Sequence, residues 1–207
     1  MDLASFGLFL LASGAVALAP GPSTLLVLSH ALGRDARRPA SLIAGAFFGN
    51  LLLVLVTVSG ISALLLASQT AFELLRWVGA GYLIYLGLRT WFAPVELLQT
   101  GAVSDSAAYR ALFVQAFLTS VTNPKGLVFY LAFLPLFVSP GWPVQLQLVI
   151  LGGAYVLIFM AALALYALAG RRVARFFTSA RVLRLKNRVT GGLLILAGLS
   201  LLRYQRP

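Results

Sequence analysis

The sequence predicts an all-α integral membrane protein in which six transmembrane helices form two inverted repeats of three helices each. Composition is the first observation, because 60% of the 207 residues are hydrophobic and only 10% are charged, against about 25% charged in soluble proteins. The apolar residues also form about six segments, which short and mostly basic connections join. Finally, the first and fourth segments each carry a proline motif near the middle, which predicts a broken helix in each repeat.

The first segment, residues 3 to 29, is interrupted by Pro20-Gly21-Pro22. We expect the helix to unwind here and to restart with Gly21 near the N-cap and Pro22 at the first helical position. Ser23 then falls in the first turn. An ordinary proline kink is the alternative interpretation, but two prolines around a glycine interrupt more backbone than a kink requires.

The second segment, about 40 to 67, contains Gly45 and Gly49 four residues apart, followed by Asn50. Small residues at that spacing allow two helices to approach closely in a membrane. Asn50 can hold two helices together through a hydrogen bond or can contact a ligand, and the first role is the commoner one.

The third segment, about 77 to 92, carries Tyr82 and Tyr85 among glycines at packing positions. The tyrosines either anchor the helix at the membrane interface or line a cavity, and the sequence alone does not choose. Residues 93 to 110 form the longest polar connection, which we expect to be a loop.

The fourth segment, 111 to 138, contains Asn123-Pro124-Lys125. Lys125 lies 14 residues into the segment, which is about 21 Å into a hydrocarbon core of about 30 Å. A charged side chain at this depth usually faces a bundle interior or an aqueous cavity. We expect Asn123 to be the N-cap and Pro124 the first residue of a new half-helix, so that Lys125 lies beside a positive helix end. A kinked helix with a snorkelling lysine is the alternative.

The fifth segment, about 144 to 169, and the short sixth segment, about 190 to 204, flank a strongly basic connection. Residues 170 to 189 contain seven Lys or Arg residues. Either part of this stretch, from Arg171 to Arg188, lies as an amphipathic helix on anionic lipid headgroups, or the basic residues only mark the topology of the chain.

The distribution of basic residues predicts the orientation. With six spans, the first, third and fifth connections share one side of the membrane and hold 12 Lys or Arg residues, against 3 on the other side when Lys125 is left out. The positive-inside rule therefore places both termini outside the cytoplasm.

The two halves of the chain also resemble each other. Since each half has an odd number of spans, the second must be inverted relative to the first. We expect one transmembrane domain over residues 1–207, with repeat 1 at about 1–92, a loop at about 93–110 and repeat 2 at about 111–207. At an offset of 111, the residues Gly81, Leu83, Ile84, Gly87 and Leu88 match Gly192, Leu194, Ile195, Gly198 and Leu199.

An inverted repeat would aim the restarted halves of both broken helices at one central place. Their positive ends and Lys125 would suit a carboxylate, and the lack of an acid there favours a small neutral amino acid. Lys125 is also the candidate for proton coupling, because a bound carboxylate favours its charged form. The predicted substrate-binding residues are Pro20, Gly21, Pro22, Ser23, Asn50, Asn123, Pro124 and Lys125.

The two tripeptides and the stretch from Gly79 to Arg89 together resemble the lysine exporter superfamily, specifically its homoserine/threonine efflux type. The similarity spans almost the whole chain. It implies a multi-pass protein of the bacterial inner membrane that exports amino acids or related metabolites by secondary transport, driven by the proton gradient. Residues 36 to 40 lack the glycines that relatives often have around the basic pair. Asn50 lies near a position where exporters of basic amino acids tend to carry aspartate, which argues against a cationic substrate.

Other classes of function compete with transport. A passive channel or a structural membrane protein could share the glycine packing but would not require two matched helix breaks. An intramembrane enzyme needs a nucleophile with a base, a carboxylate pair or metal ligands inside the membrane, and the sequence offers none. The only histidine, His30, is expected at the surface or interface. We therefore predict no catalytic residue, metal or cofactor and no nucleic-acid partner, and a homodimer stays open.

Overall fold

The computed structural model describes residues 3–18, 21–33, 35–67, 69–94, 108–139, 141–176 and 180–203. Within these ranges the regular structure is entirely helical. The segment Pro124–Phe137 is called the restarted helix below, because it combines one short α-helix with two irregular turns. In chain order the elements are α1 (Leu3–Leu18), α2 (Pro22–Ala31), α3 (Arg37–Ala67), α4 (Gln69–Trp91), α5 (Tyr109–Val121), α6 (Pro124–Val128), a π-helical turn (Phe129–Phe133), a 3-10 turn (Leu134–Phe137), α7 (Val144–Phe176) and α8 (Ala180–Arg203).

Both predicted helix breaks are present. The axes of α1 and α2 are bent by 56° relative to each other, and Gly21 adopts an extended conformation just before Pro22 begins α2. Pro20 lies outside the described residues. The second break separates the end of α5 at Val121 from the start of α6 at Pro124. Each restart therefore begins at a proline, which has no backbone N–H to leave unpaired in the first turn.

Two helices in the described part of the chain are long and apolar enough to cross a membrane on their own. They are Arg37–Gly60 within α3 and Val144–Gly170 within α7. The bent pair Ser5–Leu18 and Pro22–Ala31 qualifies as a third span if it is counted as one unit. Pro124–Phe137 is apolar but shorter. These helices are consistent with a multi-pass membrane protein, and the arrangement of six spans stays a prediction.

The basic connection between the fifth and sixth segments is helical wherever the structure describes it. α7 continues to Phe176 through a kink at Gly170, where φ is 24° and ψ is −104°. α8 begins at Ala180 rather than near Thr190. Because Leu183 is buried, the first turns of α8 bury an apolar side chain on one face, which allows a helix to form through a charged stretch. Three arginines occupy exposed positions of the same turns, namely Arg181, Arg184 and Arg188.

The main contacts between helices join the two halves of the chain. α3 packs along α5, and α7 packs along α1 and α2. α3 also meets α7, and α4 meets α8. Gly45 and Gly49 permit the first of these contacts, because a Cβ atom at either position would collide with the backbone oxygen of Phe113 or Phe117. The predicted close helix approach at this glycine pair is confirmed.

The contact between α4 and α8 is reciprocal. A Cβ atom on Gly87 would lie 2.6 Å from Cγ1 of Ile195, and a Cβ atom on Gly198 would lie 2.7 Å from Cγ1 of Ile84. Gly87 and Gly198 differ by 111 in number, as do Ile84 and Ile195. The two helices therefore touch through residues that match each other at an offset of 111 in the sequence.

Candidate functional site

The Lys125 side chain lies at the break between α1 and α2. Its ammonium nitrogen Nζ donates a hydrogen bond of 3.1 Å to the backbone oxygen of Val16. A Cβ atom placed on Gly21 would be 3.5 Å from the same nitrogen. Lys125 thus bonds to the last turn of α1 and lies beside the residue that precedes α2, although it lies 109 residues beyond Val16 in the chain. The structure therefore brings the side chain of Lys125, from the second predicted break, close to Val16 and Gly21 on the two sides of the first.

The local sequence around Lys125 explains how its backbone is held. The side-chain oxygen Oδ1 of Asn123 accepts a hydrogen bond of 3.0 Å from the backbone N–H of Lys125. Pro124 occupies the first helical position between them. Asn123 is buried and Pro124 is exposed. The prediction that Asn123 is the N-cap and Pro124 the first helical residue is confirmed, and this cap fixes the direction in which the Lys125 stem leaves the helix.

The start of α2 has no cap of this kind. Gly21 precedes α2 without a side-chain hydrogen bond, and Pro22 occupies the first helical position, as predicted. Ser23 is buried in the first turn, and its hydroxyl oxygen lies 3.5 Å from that of Ser120 in α5. The positive end of α2 therefore lies between Lys125 and the last turn of α5.

Asn50 links α3 to the restarted helix. Its side-chain nitrogen Nδ2 donates to the backbone oxygen of Ala46 at 2.8 Å, and its oxygen Oδ1 accepts from the hydroxyl of Tyr130 at 3.2 Å. Both Asn50 and Tyr130 are buried. This geometry matches the interhelical role that the sequence favoured, and contact of Asn50 with a ligand stays a prediction.

The sequence predicts that unwound carbonyl groups or tyrosines would meet the ammonium of a substrate, but it does not identify the carbonyl groups at the end of α1. Besides the Val16 oxygen, the backbone oxygen of Leu18 accepts a hydrogen bond of 2.7 Å from the hydroxyl of Tyr166 in α7. The last four carbonyl groups of a helix have no partner within it, so both oxygens depend on side chains from the second half of the chain. Helix-end rules applied to a break after Leu18 would have identified these oxygens, but not their partners.

The two tyrosines of α4 have different environments. Tyr82 is partly buried and lines a cavity of about 280 Å³ between α4 and the restarted helix, whereas Tyr85 is exposed. Pro124 forms part of the cavity wall, and the other lining side chains are apolar or glycine. Tyr82 thus takes the second of the two roles that the sequence left open.

A polar cluster ties the connection after α2 to the start of α5. The carboxylate of Asp35 accepts hydrogen bonds from the backbone N–H of Arg37 at 2.9 Å and from the hydroxyl of Tyr109 at 2.8 Å. The guanidinium of Arg38 lies 3.8 Å away. These contacts, the Arg37 hydrogen bond above all, hold the pKa of Asp35 below its usual value of 3.8. The cluster therefore holds together two segments that are 74 residues apart in the chain.

His30 differs from the sequence expectation, because it is buried rather than at a surface. Its ring nitrogen Nδ1 lies 3.0 Å from the backbone oxygen of Leu26, one turn earlier in α2.

Among the described residues, no group of three or more histidine, aspartate or glutamate side chains could hold a metal ion.

Comparisons with known proteins agree with this architecture. The LysE type translocator family matches residues 14–205. A homoserine/homoserine lactone efflux protein of Salmonella typhi is 32% identical over 191 residues, which cover 92% of each chain. An uncharacterized membrane protein of Vibrio cholerae serotype O1 is 30% identical over 97% of this chain and 98% of its own.

A leucine efflux protein of Salmonella choleraesuis is 32% identical over 124 residues, or 60% of this chain and 58% of that protein. No solved structure gives a significant match. The family and the named efflux proteins are transporters, so the prediction that this chain is not an enzyme is confirmed. From its sequence, its helical architecture and its match over nearly its full length, this chain belongs to the LysE type translocator family.

Proposed function

We propose that this protein is a secondary active exporter of small neutral amino acids or related metabolites, driven by the proton gradient across the bacterial cytoplasmic membrane. The observation that carries the proposal is the position of the Lys125 ammonium against Val16 and Gly21, where a broken helix leaves backbone groups available. Discontinuous helices of this kind form the substrate sites of many secondary transporters. Relatives named for the efflux of homoserine and of leucine support an amino-acid substrate.

Lys125 supplies the positive charge that a substrate carboxylate requires. The N-terminal end of α2, with Gly21, Pro22 and Ser23 in its first turn, adds a partial positive charge beside the ammonium. Asn123 and Pro124 contribute by orienting Lys125, and Pro20 by interrupting the helix. The sequence has no acidic residue within either break, so the site favours a substrate without net positive charge. Asn50 acts through Tyr130 on the restarted helix.

An inverted repeat accounts for how the two breaks come together. The reciprocal contacts of Gly87 and Gly198 support it, as does the packing of α3 along α5 and of α7 along α1 and α2. In transporters built this way, rocking of the repeats exposes one central site alternately to the two sides of the membrane. The six-span arrangement, with both termini outside the cytoplasm, gives the substrate a path through the whole bilayer.

Proton coupling follows from the chemistry of an amine beside a carboxylate. A bound carboxylate stabilises the charged ammonium of Lys125, and its release leaves the charge without that partner. Substrate binding and proton binding at Lys125 therefore favour each other, so that the two binding equilibria are linked at one amine.

The basic face of α8 provides a contact for anionic lipids. Arg181, Arg184 and Arg188 are exposed along one line of the helix, and Leu185 and Val189 are exposed next to them. This combination suits the boundary between headgroups and hydrocarbon, where basic side chains reach phosphate groups. It is consistent with a cytoplasmic position for the predicted lipid-binding stretch from Arg171 to Arg188.

Counterflow in proteoliposomes tests the transport function. Vesicles loaded with unlabelled leucine or homoserine should take up the labelled amino acid transiently and with saturation, whereas a channel would give conductance without exchange. Topology has a separate test, because the chain has no cysteine. Single cysteines at Leu3 and Arg181 should react with an impermeant reagent from opposite sides, position 3 from outside the cell. Equal conductance of all solutes would contradict the transport function. Labelling of position 181 alone from outside would contradict the topology.

A further inference from the structure

We infer that the carbonyl groups at the C-terminal end of α1 form the subsite for the substrate's ammonium group, and that Lys125 occupies this subsite when no substrate is bound. The inference rests on the proposed function and adds the atoms that recognise the amino group. Its central observation is the hydrogen bond from Lys125 Nζ to the Val16 oxygen.

The end of α1 has the electrostatic character that an ammonium group requires. The last carbonyl groups of a helix have no partner within it, and the negative end of the helix dipole lies there. Two of these oxygens, on Val16 and Leu18, accept hydrogen bonds from the side chains of Lys125 and Tyr166. A primary ammonium group already binds the Val16 oxygen, and that group is chemically equivalent to the α-ammonium of an amino acid.

The same break also presents a positive helix end for the other charge of the substrate. α1 ends at Leu18 and α2 starts at Pro22, so a negative and a positive helix end are only a few residues apart. A zwitterion requires these two partners close together, since its ammonium and carboxylate are bonded to one carbon. The Lys125 ammonium, within contact distance of Gly21, lies between the two ends.

The geometry implies an exchange of partners on binding. The substrate ammonium replaces the Lys125 ammonium at the Val16 oxygen, and Lys125 then pairs with the substrate carboxylate. No covalent bond changes, and each charged group keeps a partner in both states. A ligand with a carboxylate but no ammonium leaves the Val16 oxygen without a charged donor. Loss of a charge-assisted hydrogen bond should weaken transport of such a ligand by about 10- to 100-fold.

Solid-state NMR on lipid vesicles tests the exchange directly. The chain has two lysines, at 125 and 186, so the substitution Lys186→Arg leaves Lys125 as the only site for a ¹⁵Nζ-lysine label. With ¹³C-carbonyl valine, a dipolar contact should join Lys125 to Val16. The matched control Val16→Leu keeps the backbone oxygen but removes the label, so the contact should vanish. If it persists, the contact involves another valine and the inference is wrong.

Saturating leucine should abolish this contact and produce one between ¹⁵N-labelled leucine and the Val16 carbonyl. The 2-hydroxy analogue of leucine, which lacks the amino group, should leave the lysine contact in place. Persistence of the lysine contact with leucine, or its loss with the hydroxy analogue as well, would overturn the inference. Counterflow in the same vesicles separates the two claims. If neither leucine nor homoserine exchanges, the proposed function fails. The NMR comparison is made with whichever of the two exchanges, and if the lysine contact persists with that amino acid, only the inference fails.

Discussion

The two helix breaks of this protein are alike in sequence but differ in how their backbone groups are satisfied. At the second break, the Asn123 side chain caps its own helix by a hydrogen bond to the N–H of Lys125, two residues away. At the first break, Gly21 provides no side-chain cap. The carbonyls of Val16 and Leu18 instead depend on Lys125 and Tyr166 from the second half of the chain.

This difference assigns different mechanical roles to the two breaks. A cap closed within three residues keeps its geometry when distant helices move. Contacts made by side chains more than 100 residues away can be exchanged for contacts with a ligand, as the 109 residues between Val16 and Lys125 illustrate. We therefore propose that the second break is the rigid support that presents Lys125, and that the first break is the adaptable surface that receives the substrate.

The largest expected effect is that of Lys125→Met, which removes the only charge contributed by the second break to the first. The variant should fold, because the substitution removes a partly buried charge. Counterflow should fall by about 100-fold or more, as is typical when one partner of a buried charge pair is removed. Lys186→Met, which removes the other lysine, is the control and should retain transport. Wild-type counterflow by the Lys125 variant would refute a role for this lysine.

Gly21→Asp should have the next largest effect, because it gives the first break the self-contained cap that it lacks. The new carboxylate can cap α2 and pair with the nearby Lys125 ammonium, in competition with a substrate carboxylate. Counterflow should drop by about tenfold while thermal stability is kept or raised. Gly21→Ala is the matched control, since its Cβ would lie at an ordinary contact distance of 3.5 Å from Nζ. If both variants transport equally well, a carboxylate at position 21 does not compete for Lys125.

Asn123→Ala should weaken the rigid break. Loss of an N-cap side chain costs about 1 kcal/mol of stability, and a less fixed Lys125 should raise the KM for leucine several-fold more than it lowers the maximal rate. Thr122→Ala is a suitable control, because the Thr122 hydroxyl is exposed and bonds to the Leu118 oxygen within its own helix. Thermal unfolding in detergent and counterflow kinetics measure the two effects. An unchanged KM would show that the cap does not position Lys125.

The smallest effect concerns the Asp35 cluster, which joins the end of the first broken span to the start of the second. Because the pKa of Asp35 is lowered in the folded protein, its carboxylate stabilises this junction above about pH 4 and loses that contribution as the pH falls through the lowered pKa. Hydrogen exchange of the Arg37 amide, corrected for intrinsic rates, should therefore accelerate between pH 5 and pH 3. In Asp35→Ala it should be fast at both pH values. Acceleration of the same size in Asp35→Ala would assign the pH effect to another group.

The sequence allowed both breaks to be located because proline has local and predictable consequences. Pro22 and Pro124 each start a helix, and Asn123 caps one, as the absence of a proline N–H and the preferences of cap residues dictate. The close approach at Gly45 and Gly49 was likewise predictable from residue size.

Features that depend on tertiary packing were not predictable. Helix-end rules can identify the backbone oxygen of Val16 as one without a partner in its own helix, but they do not identify Lys125 as its donor. The hydrogen bond between Asn50 and Tyr130 joins residues 80 apart. The start of α8 was placed too late, because a dense run of arginines obscured the single buried face that Leu183 provides.

The central claim is that one amine, Lys125, both binds the substrate carboxylate and carries the coupled proton. Lys125→Arg tests it most directly, because a guanidinium keeps its charge but does not give up its proton. The variant should be compared with the wild type in the same proteoliposomes, with and without an imposed pH gradient. We predict that it retains saturable leucine counterflow but loses efflux against a leucine gradient. Uphill efflux at the wild-type rate by the arginine variant would contradict the claim.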